Sequence, residues 1–118
     1  MNRINRDKFT DMVKNGVETR GLDLKCADLA GSNLRSAILV GANMGGATLK
    51  NSNLACANFE DADLSGVDFS GCDLSYANFR NADLRNANFE NAKMEYTDFR
   101  NAAIEGANFN NIKGQKLF

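Results

Sequence analysis

The side chains that could take part in chemistry are carboxylates, three cysteines and two tyrosines. The chain of 118 residues has 15 acidic side chains but no histidine and no tryptophan. It therefore lacks Cys–His and Ser–His–Asp combinations, and it has neither a glycine-rich phosphate loop nor a paired-cysteine zinc motif. The sequence predicts no catalytic residue, no cofactor site and no metal site, and we interpret the protein as a non-enzyme.

A strict five-residue period positions all of these groups. Large apolar residues occupy 18 consecutive fifth positions, from Leu24 to Phe109, without a change of register. A period of five fits neither an α-helix nor a simple strand, and a short uninterrupted repeat is typical of a solenoid. A small residue, mostly Ala or Ser, precedes each large one by two positions, and residues two apart lie on the same side of an extended chain. Each unit is therefore expected to point one small and one large side chain inward, with four units per coil.

These units resemble the pentapeptide repeat family, whose motif is A-(D/N)-L-x-x. Clear copies are Ala27-Asp28-Leu29, Ala57-Asn58-Phe59 and Ala87-Asn88-Phe89. The resemblance covers residues 22–111 and implies an all-β solenoid, a right-handed quadrilateral β-helix. Eighteen units at four per coil give about four and a half coils.

The repeat divides the chain into an N-terminal helical cap (residues 1–21), the β-helix (residues 22–111) and a C-terminal cap or tail (residues 112–118). In the first segment, apolar residues spaced by three and four predict a short helix over residues 5–15 that Gly16 terminates. The open end of a solenoid exposes apolar layers and unpaired backbone groups. We therefore expect this helix to cap the first coil, although it could instead reach a partner.

The C-terminal tail ends in two large apolar residues, Leu117 and Phe118. They could fold over the last coil, or they could pair with the tail of a second copy, as the resemblance implies for many relatives that dimerise through their C-terminal ends. The expected state is a monomer or a C-terminal end-to-end homodimer.

Because residues 20 apart should stack, the core and the surface can be divided into columns. Inside, two columns of phenylalanine rings are expected: Phe59, Phe79 and Phe99 in one, and Phe69, Phe89 and Phe109 in the other. Such ring stacks are favourable, and we interpret them as structural.

Two pairs of outward residues are candidates for contact with a partner. Tyr76 and Tyr96 share one corner column, and exposed tyrosines are enriched at interfaces. Ile38 and Val40 flank the inward Leu39 and break the polar pattern of the exterior. Either the N-terminal segment covers these two aliphatic residues, or a partner does.

The charges are unevenly distributed. Residues 22–111 carry 12 acidic and 7 basic side chains, a net charge of −5, whereas residues 1–21 carry a net charge of +2. The mildly acidic net charge of residues 22–111 argues against nucleic-acid binding. Stacked carboxylates such as Asp63 and Asp83 are expected to accept N–H groups at the turns, or alternatively to form an acidic strip.

The location of the protein is expected to be the cytoplasm. The first residues lack an apolar leader, and no apolar run is long enough to cross a membrane, so no membrane partner is expected. The number of cysteines is odd, Cys72 takes an inward position, and Cys26 and Cys56 fall on different corners. This distribution favours a reducing compartment.

Two functions follow from these observations. The first is a binding module that presents a rigid four-sided surface to an unknown protein partner. The second is implied by the resemblance, because some pentapeptide repeat proteins mimic duplex DNA, bind type II topoisomerases such as gyrase and confer quinolone resistance. Those relatives tend to be longer and more strongly acidic, so the first function is preferred.

Overall fold

The computed structural model describes residues 4–114. In that range it contains a single helix, α1 (Arg6–Lys14), followed by 15 isolated parallel bridges instead of long strands. Every bridge joins two residues that are 20 apart, from Asp23 with Asn43 to Lys93 with Lys113. The chain therefore winds with a period of 20 residues, and the bridges form four columns. The molecule measures 38 × 22 × 19 Å.

The four columns define four faces, which we number by their large inward residues. Face 1 holds Leu24, Met44, Leu64, Leu84 and Ile104; face 2 holds Leu29, Leu49, Phe69, Phe89 and Phe109; face 3 holds Leu34, Leu54, Leu74 and Met94; face 4 holds Leu39, Phe59, Phe79 and Phe99.

Backbone hydrogen bonds join each coil to the next. Leu54 N donates to Asp73 O above it at 2.9 Å, and Asn53 N donates to Ser32 O below it at 2.9 Å. The same two bonds recur on every face, so each short strand is held from both sides although it is only a few residues long.

Side chains fill the interior of the coils. The inward residues from Leu24 to Met94 are buried, and small residues such as Ala57 lie beside them. On face 4 the rings of Phe59 and Phe79 stack with centroids 5.1 Å apart, and on face 2 those of Phe69 and Phe89 stack at 5.0 Å. Rings on the two faces meet edge to face at 5.5–5.9 Å. Both arrangements are favourable for aromatic quadrupoles.

Each corner is a tight turn that needs one residue with a positive φ. Every fifth residue from 21 to 111 has a φ between 56° and 76°. A bond between residues i and i+3, such as that from Ala57 N to Leu54 O at 3.0 Å, closes the turn. Gly and Asn tolerate this conformation, which explains their frequency at the corners.

Helix α1 has defined caps at both ends. The side chain of Asn5 accepts a hydrogen bond from Lys8 N at 2.8 Å, as an N-cap does. At the other end Gly16, with a φ of 70°, donates to Val13 O at 3.1 Å. The helix is thus one residue shorter at each end than the predicted range, because the two flanking asparagines serve as caps.

The N-terminal segment contacts the first coil through core and backbone groups. Phe9 is fully buried and belongs to the same apolar cluster as Leu24. The guanidinium of Arg6 donates to Ala30 O at 3.2 Å. No helix within residues 4–114 has the length and apolar character required to cross a membrane.

Candidate interaction surface

The Asp and Asn side chains of the β-helix stabilise its turns through hydrogen bonds to the backbone. The residue before each large inward position is usually Asp or Asn, and its side-chain oxygen accepts the N–H group two residues later. Asp63 accepts from Ser65 N at 3.1 Å, and Asp83 accepts from Arg85 N at 3.1 Å. The guanidinium of Arg85 also donates two hydrogen bonds of 2.7–2.9 Å to the carboxylate of Asp83, and these bonds lower the pKa of that carboxyl. The stacked acids therefore serve the backbone, and the alternative of an acidic strip has less support.

The three cysteines are unpaired in the structure. Cys72 takes an inward position, where its thiol donates to Leu49 O at 2.9 Å, and burial raises its pKa to about 12. Cys26 and Cys56 are exposed at corners. Over the part of the chain that the structure describes, no three Cys, His, Asp or Glu residues are grouped so that they could hold a metal ion.

The most unusual surface is the corner between faces 3 and 4, which we call the aromatic corner (residues 35–36, 55–56, 75–76 and 95–96). Here Tyr76 and Tyr96 stack with ring centroids 5.2 Å apart and planes at 19°. They are 60% and 71% exposed.

Both tyrosines adopt a backbone conformation that is unfavourable for a tyrosine residue. Their φ angles are 63° and 58°, and a left-handed backbone costs ~1–2 kcal/mol for an ordinary L-residue. Asn81, Asn86 and Asn91 hold the corresponding position at the other corners at lower cost. Strain of this kind, together with exposed rings, is typical of a functional surface.

Ile38 lies on face 4, two residues beyond the aromatic corner, and is 67% exposed; Val40 is half-buried. The expectation that the N-terminal segment covers Ile38 is therefore wrong. The segment does bond to the backbone of this residue, where the hydroxyl of Thr19 donates to Ile38 O at 2.6 Å. Because Ile38 is at an outward position of its strand, its side chain points away from this contact.

The structure brings Tyr76, Tyr96 and Ile38 to one side of the molecule, whereas Val40 lies at the next corner, between faces 4 and 1. Within residues 4–114 the large exposed apolar side chains are Val17, Ile38, Tyr76 and Tyr96. A shallow groove between the end of α1 and the first coil, lined in part by Val17, Arg35, Ser36 and Ile38, lies at the N-terminal end of the aromatic corner. We call it the N-terminal groove.

Charged residues mark the two ends of the aromatic corner. Arg35 and Glu95 are exposed, 60 residues apart in the same column, and the smaller Ala55 and Ser75 between them are buried. Nearby on face 4, Asp98 is bound by the guanidinium of Arg100 at 2.8 Å, which lowers the pKa of Asp98 to about 2.

Sequence reasoning had identified Tyr76, Tyr96, Ile38 and Val40 but had not identified Val17 or Arg35 as parts of this surface. The expectation that residues 20 apart stack could by itself have placed Arg35 in the same column as Glu95. The position of Val17 depends on the path of the chain after α1, which has no repeat to fix it. Leu117 and Phe118 lie outside the described residues.

The period, the four faces and the positive-φ corners define the class of protein. The sequence matches the family described as pentapeptide repeat region over residues 42–117, and that described as pentapeptide repeats, with eight copies, over residues 20–51. The chain belongs to the pentapeptide repeat family, which confirms the resemblance noted in the sequence.

Solved structures support the same fold. A pentapeptide repeat protein of the Arabidopsis thaliana thylakoid lumen is 34% identical, with a TM-score of 0.72, over 75% of this chain and 62% of its own. One from the cyanobacterium Cyanothece 51142 is 27% identical over 83% of this chain and 67% of its own, with a TM-score of 0.78. One from Nostoc PCC 7120 is 25% identical over 100% of this chain and 93% of its own, with a TM-score of 0.72.

These relatives are pentapeptide repeat proteins, which form right-handed quadrilateral β-helices. The chain spans less than two thirds of the length of the Arabidopsis protein. No curated protein sequence matches it.

Proposed function

We propose that this protein is a non-enzymatic binding module that presents its aromatic corner to a protein partner. One observation carries the proposal: the exposed large apolar side chains within residues 4–114 lie along one side of the molecule, with Tyr76 and Tyr96 in the aromatic corner and Val17 and Ile38 at its N-terminal end. Tyrosines supply large contact areas at interfaces. The interior is filled by its own side chains, so it offers little room for a substrate.

The architecture that supports this role is part of the proposal. We infer that residues 22–111 form about four and a half coils and that residues 1–21 cap the first of them. The burial of Phe9 in the core and the bond from Arg6 to Ala30 O support the cap.

At the other end, Phe99, Ile104 and Phe109 are only partly buried. This supports either a cover formed by residues 112–118 or an end-to-end contact with a second copy. The three unpaired cysteines support a reducing, cytoplasmic location, and the net charge of −5 on residues 22–111 supports a partner other than nucleic acid.

The test of this function is a comparative capture experiment. The immobilised wild-type chain and a Tyr76→Asn/Tyr96→Asn variant are exposed to the same extract, because Asn suits a positive φ and keeps the turns intact. A Lys50→Ser/Glu90→Ser variant, altered on the corner between faces 2 and 3, is the control. A partner captured by the wild type and the control but lost by the tyrosine variant supports the proposal. Identical partners for all three chains would exclude the aromatic corner as the binding surface.

Binding of a topoisomerase by DNA mimicry is the alternative function. It would need rows of free carboxylates, whereas Asp83 and Asp98 are paired with arginines and the column of Asp83 ends in Ala103. A gyrase supercoiling assay decides it. We expect no inhibition at micromolar concentrations of the protein, and inhibition would establish the alternative.

A further inference from the structure

We propose that the partner of the aromatic corner is a second copy of this chain, bound side by side and antiparallel. The inference rests on the proposed function, because it names the partner of the same surface. Its basis is a two-fold complementarity of size and charge along the corner.

Within residues 4–114 the aromatic corner has four levels. In order they carry Arg35 and Ser36, Ala55 and Cys56, Ser75 and Tyr76, and Glu95 and Tyr96. Stacked levels are ~4.8 Å apart, so the first and fourth are separated by roughly 14 Å. The corner is thus basic with small side chains at one end, and acidic with large side chains at the other.

Consider a two-fold axis that is perpendicular to the long axis of the β-helix and passes between the second and third levels. This axis places the basic end of one copy opposite the acidic end of the other. Arg35 then faces Glu95 of the second copy, and Cys56 faces Tyr76 of the second copy. In such an isologous interface every contact occurs twice. Opposite charges meet, and each projecting ring lies opposite a smaller side chain.

The N-terminal groove provides room for the projecting ring. It lies at the level of Ser36, where the axis places Tyr96 of the second copy, and it is bordered by Val17 and Ile38. The ring of Tyr96 would cover these two aliphatic side chains. One arrangement therefore shields all four large exposed apolar residues from water.

The charges disfavour the parallel arrangement of two copies. If the two-fold axis ran along the β-helix, Arg35 would face Arg35 of the second copy and Glu95 would face Glu95 of the second copy. Like charges that face each other across an interface weaken it. The antiparallel contact is narrow, since two corners meet. We therefore expect a weak dimer, with a dissociation constant on the order of 100 μM.

Charge reversal tests the pairing directly. Sedimentation velocity of the full chain over a concentration series should show a monomer–dimer equilibrium. Arg35→Glu and Glu95→Arg should each weaken association by roughly tenfold, because each change creates two repulsive contacts, and the double variant should restore it. The reversed pair Lys50→Glu/Glu90→Arg on another corner should leave association unchanged. A chain that stays monomeric, or a dimer that Arg35→Glu does not weaken, overturns the proposal.

The native cysteines provide a second test. Cys56 lies beside the axis, one level from Cys56 of the second copy, whereas Cys26 lies on the diagonally opposite corner and Cys72 is buried. A short bis-maleimide should cross-link the wild type and Cys26→Ser as dimers but not Cys56→Ser. Cross-linking that depends on Cys26 would contradict the arrangement.

These experiments separate this inference from the proposed function. If the chain is monomeric but the Tyr76→Asn/Tyr96→Asn variant loses a captured partner, the second copy is the wrong occupant and the binding surface stands. If Arg35→Glu dissociates a dimer that the double variant restores, the second copy is confirmed as an occupant whatever the capture experiment shows.

Discussion

The hydroxyl of Thr19 donates to the carbonyl oxygen of Ile38 at 2.6 Å and so begins the backbone ladder of face 4. In later coils the N–H group of the inward residue makes the corresponding bond, as Leu39 N does to Asn58 O at 2.7 Å. Thr19 is buried at the position of an inward residue. A polar side chain is thus found at a core position because the coil is incomplete there and a carbonyl group needs a donor.

Thr19→Val should lower the free energy of unfolding by ~1–3 kcal/mol, because it leaves the partly buried carbonyl group of Ile38 without this donor while preserving the shape of the side chain. Urea denaturation provides the measurement. Thr10→Val is the matched control, since the hydroxyl of Thr10 donates to Arg6 O on the accessible helix α1. If both variants lose the same stability, the bond to Ile38 has no special role.

Tyr96→Asn should leave the stability unchanged or raise it by up to ~1 kcal/mol. The substitution removes a strained positive φ for tyrosine, and this gain offsets the lost stack with Tyr76. The reverse change Asn91→Tyr, at a corner without a stacked ring, should cost ~1–2 kcal/mol. Thermal denaturation of the three chains decides the matter, and a clear loss of stability in Tyr96→Asn would argue that the tyrosines serve folding.

Cys72→Ala should remove a loss of stability at alkaline pH. Burial raises the pKa of the Cys72 thiol from 9.0 to about 12, so the folded state favours the protonated thiol. The contribution of the protonated Cys72 thiol to the free energy of unfolding is fully present below pH 9. It is lost as the pH rises towards 12, by at most ~1.4 kcal/mol per pH unit. Denaturation of both chains across this range measures the difference in stability between them, in which contributions common to the two chains cancel. Parallel curves would contradict the prediction.

Asp98→Asn should remove an acid-dependent part of the stability. The side-chain bonds from Arg100, together with Arg80 at 3.7 Å, lower the pKa of Asp98 from 3.8 to about 2. The contribution is present above pH 3.8 and is lost as the pH falls through 2. Acid unfolding of the wild type, Asp98→Asn and Arg100→Gln should show a reduced pH dependence in both variants. An unchanged acid transition would show that the pair is too exposed to contribute.

Bridges between residues 20 apart show the four-unit coil, whereas the sequence by itself determined the inward residues and the family, because a large apolar residue recurs at every fifth position in the register of the pentapeptide motif. It also determined that Tyr76 and Tyr96 share a column, since residues 20 apart must stack. The outcome for Ile38 was decided by the tertiary structure, because α1 and the segment after it lie outside the repeat and no period fixes their path. For the same reason only the folded chain places Val17 and the N-terminal groove beside the aromatic corner, and so turns separate exposed residues into one surface.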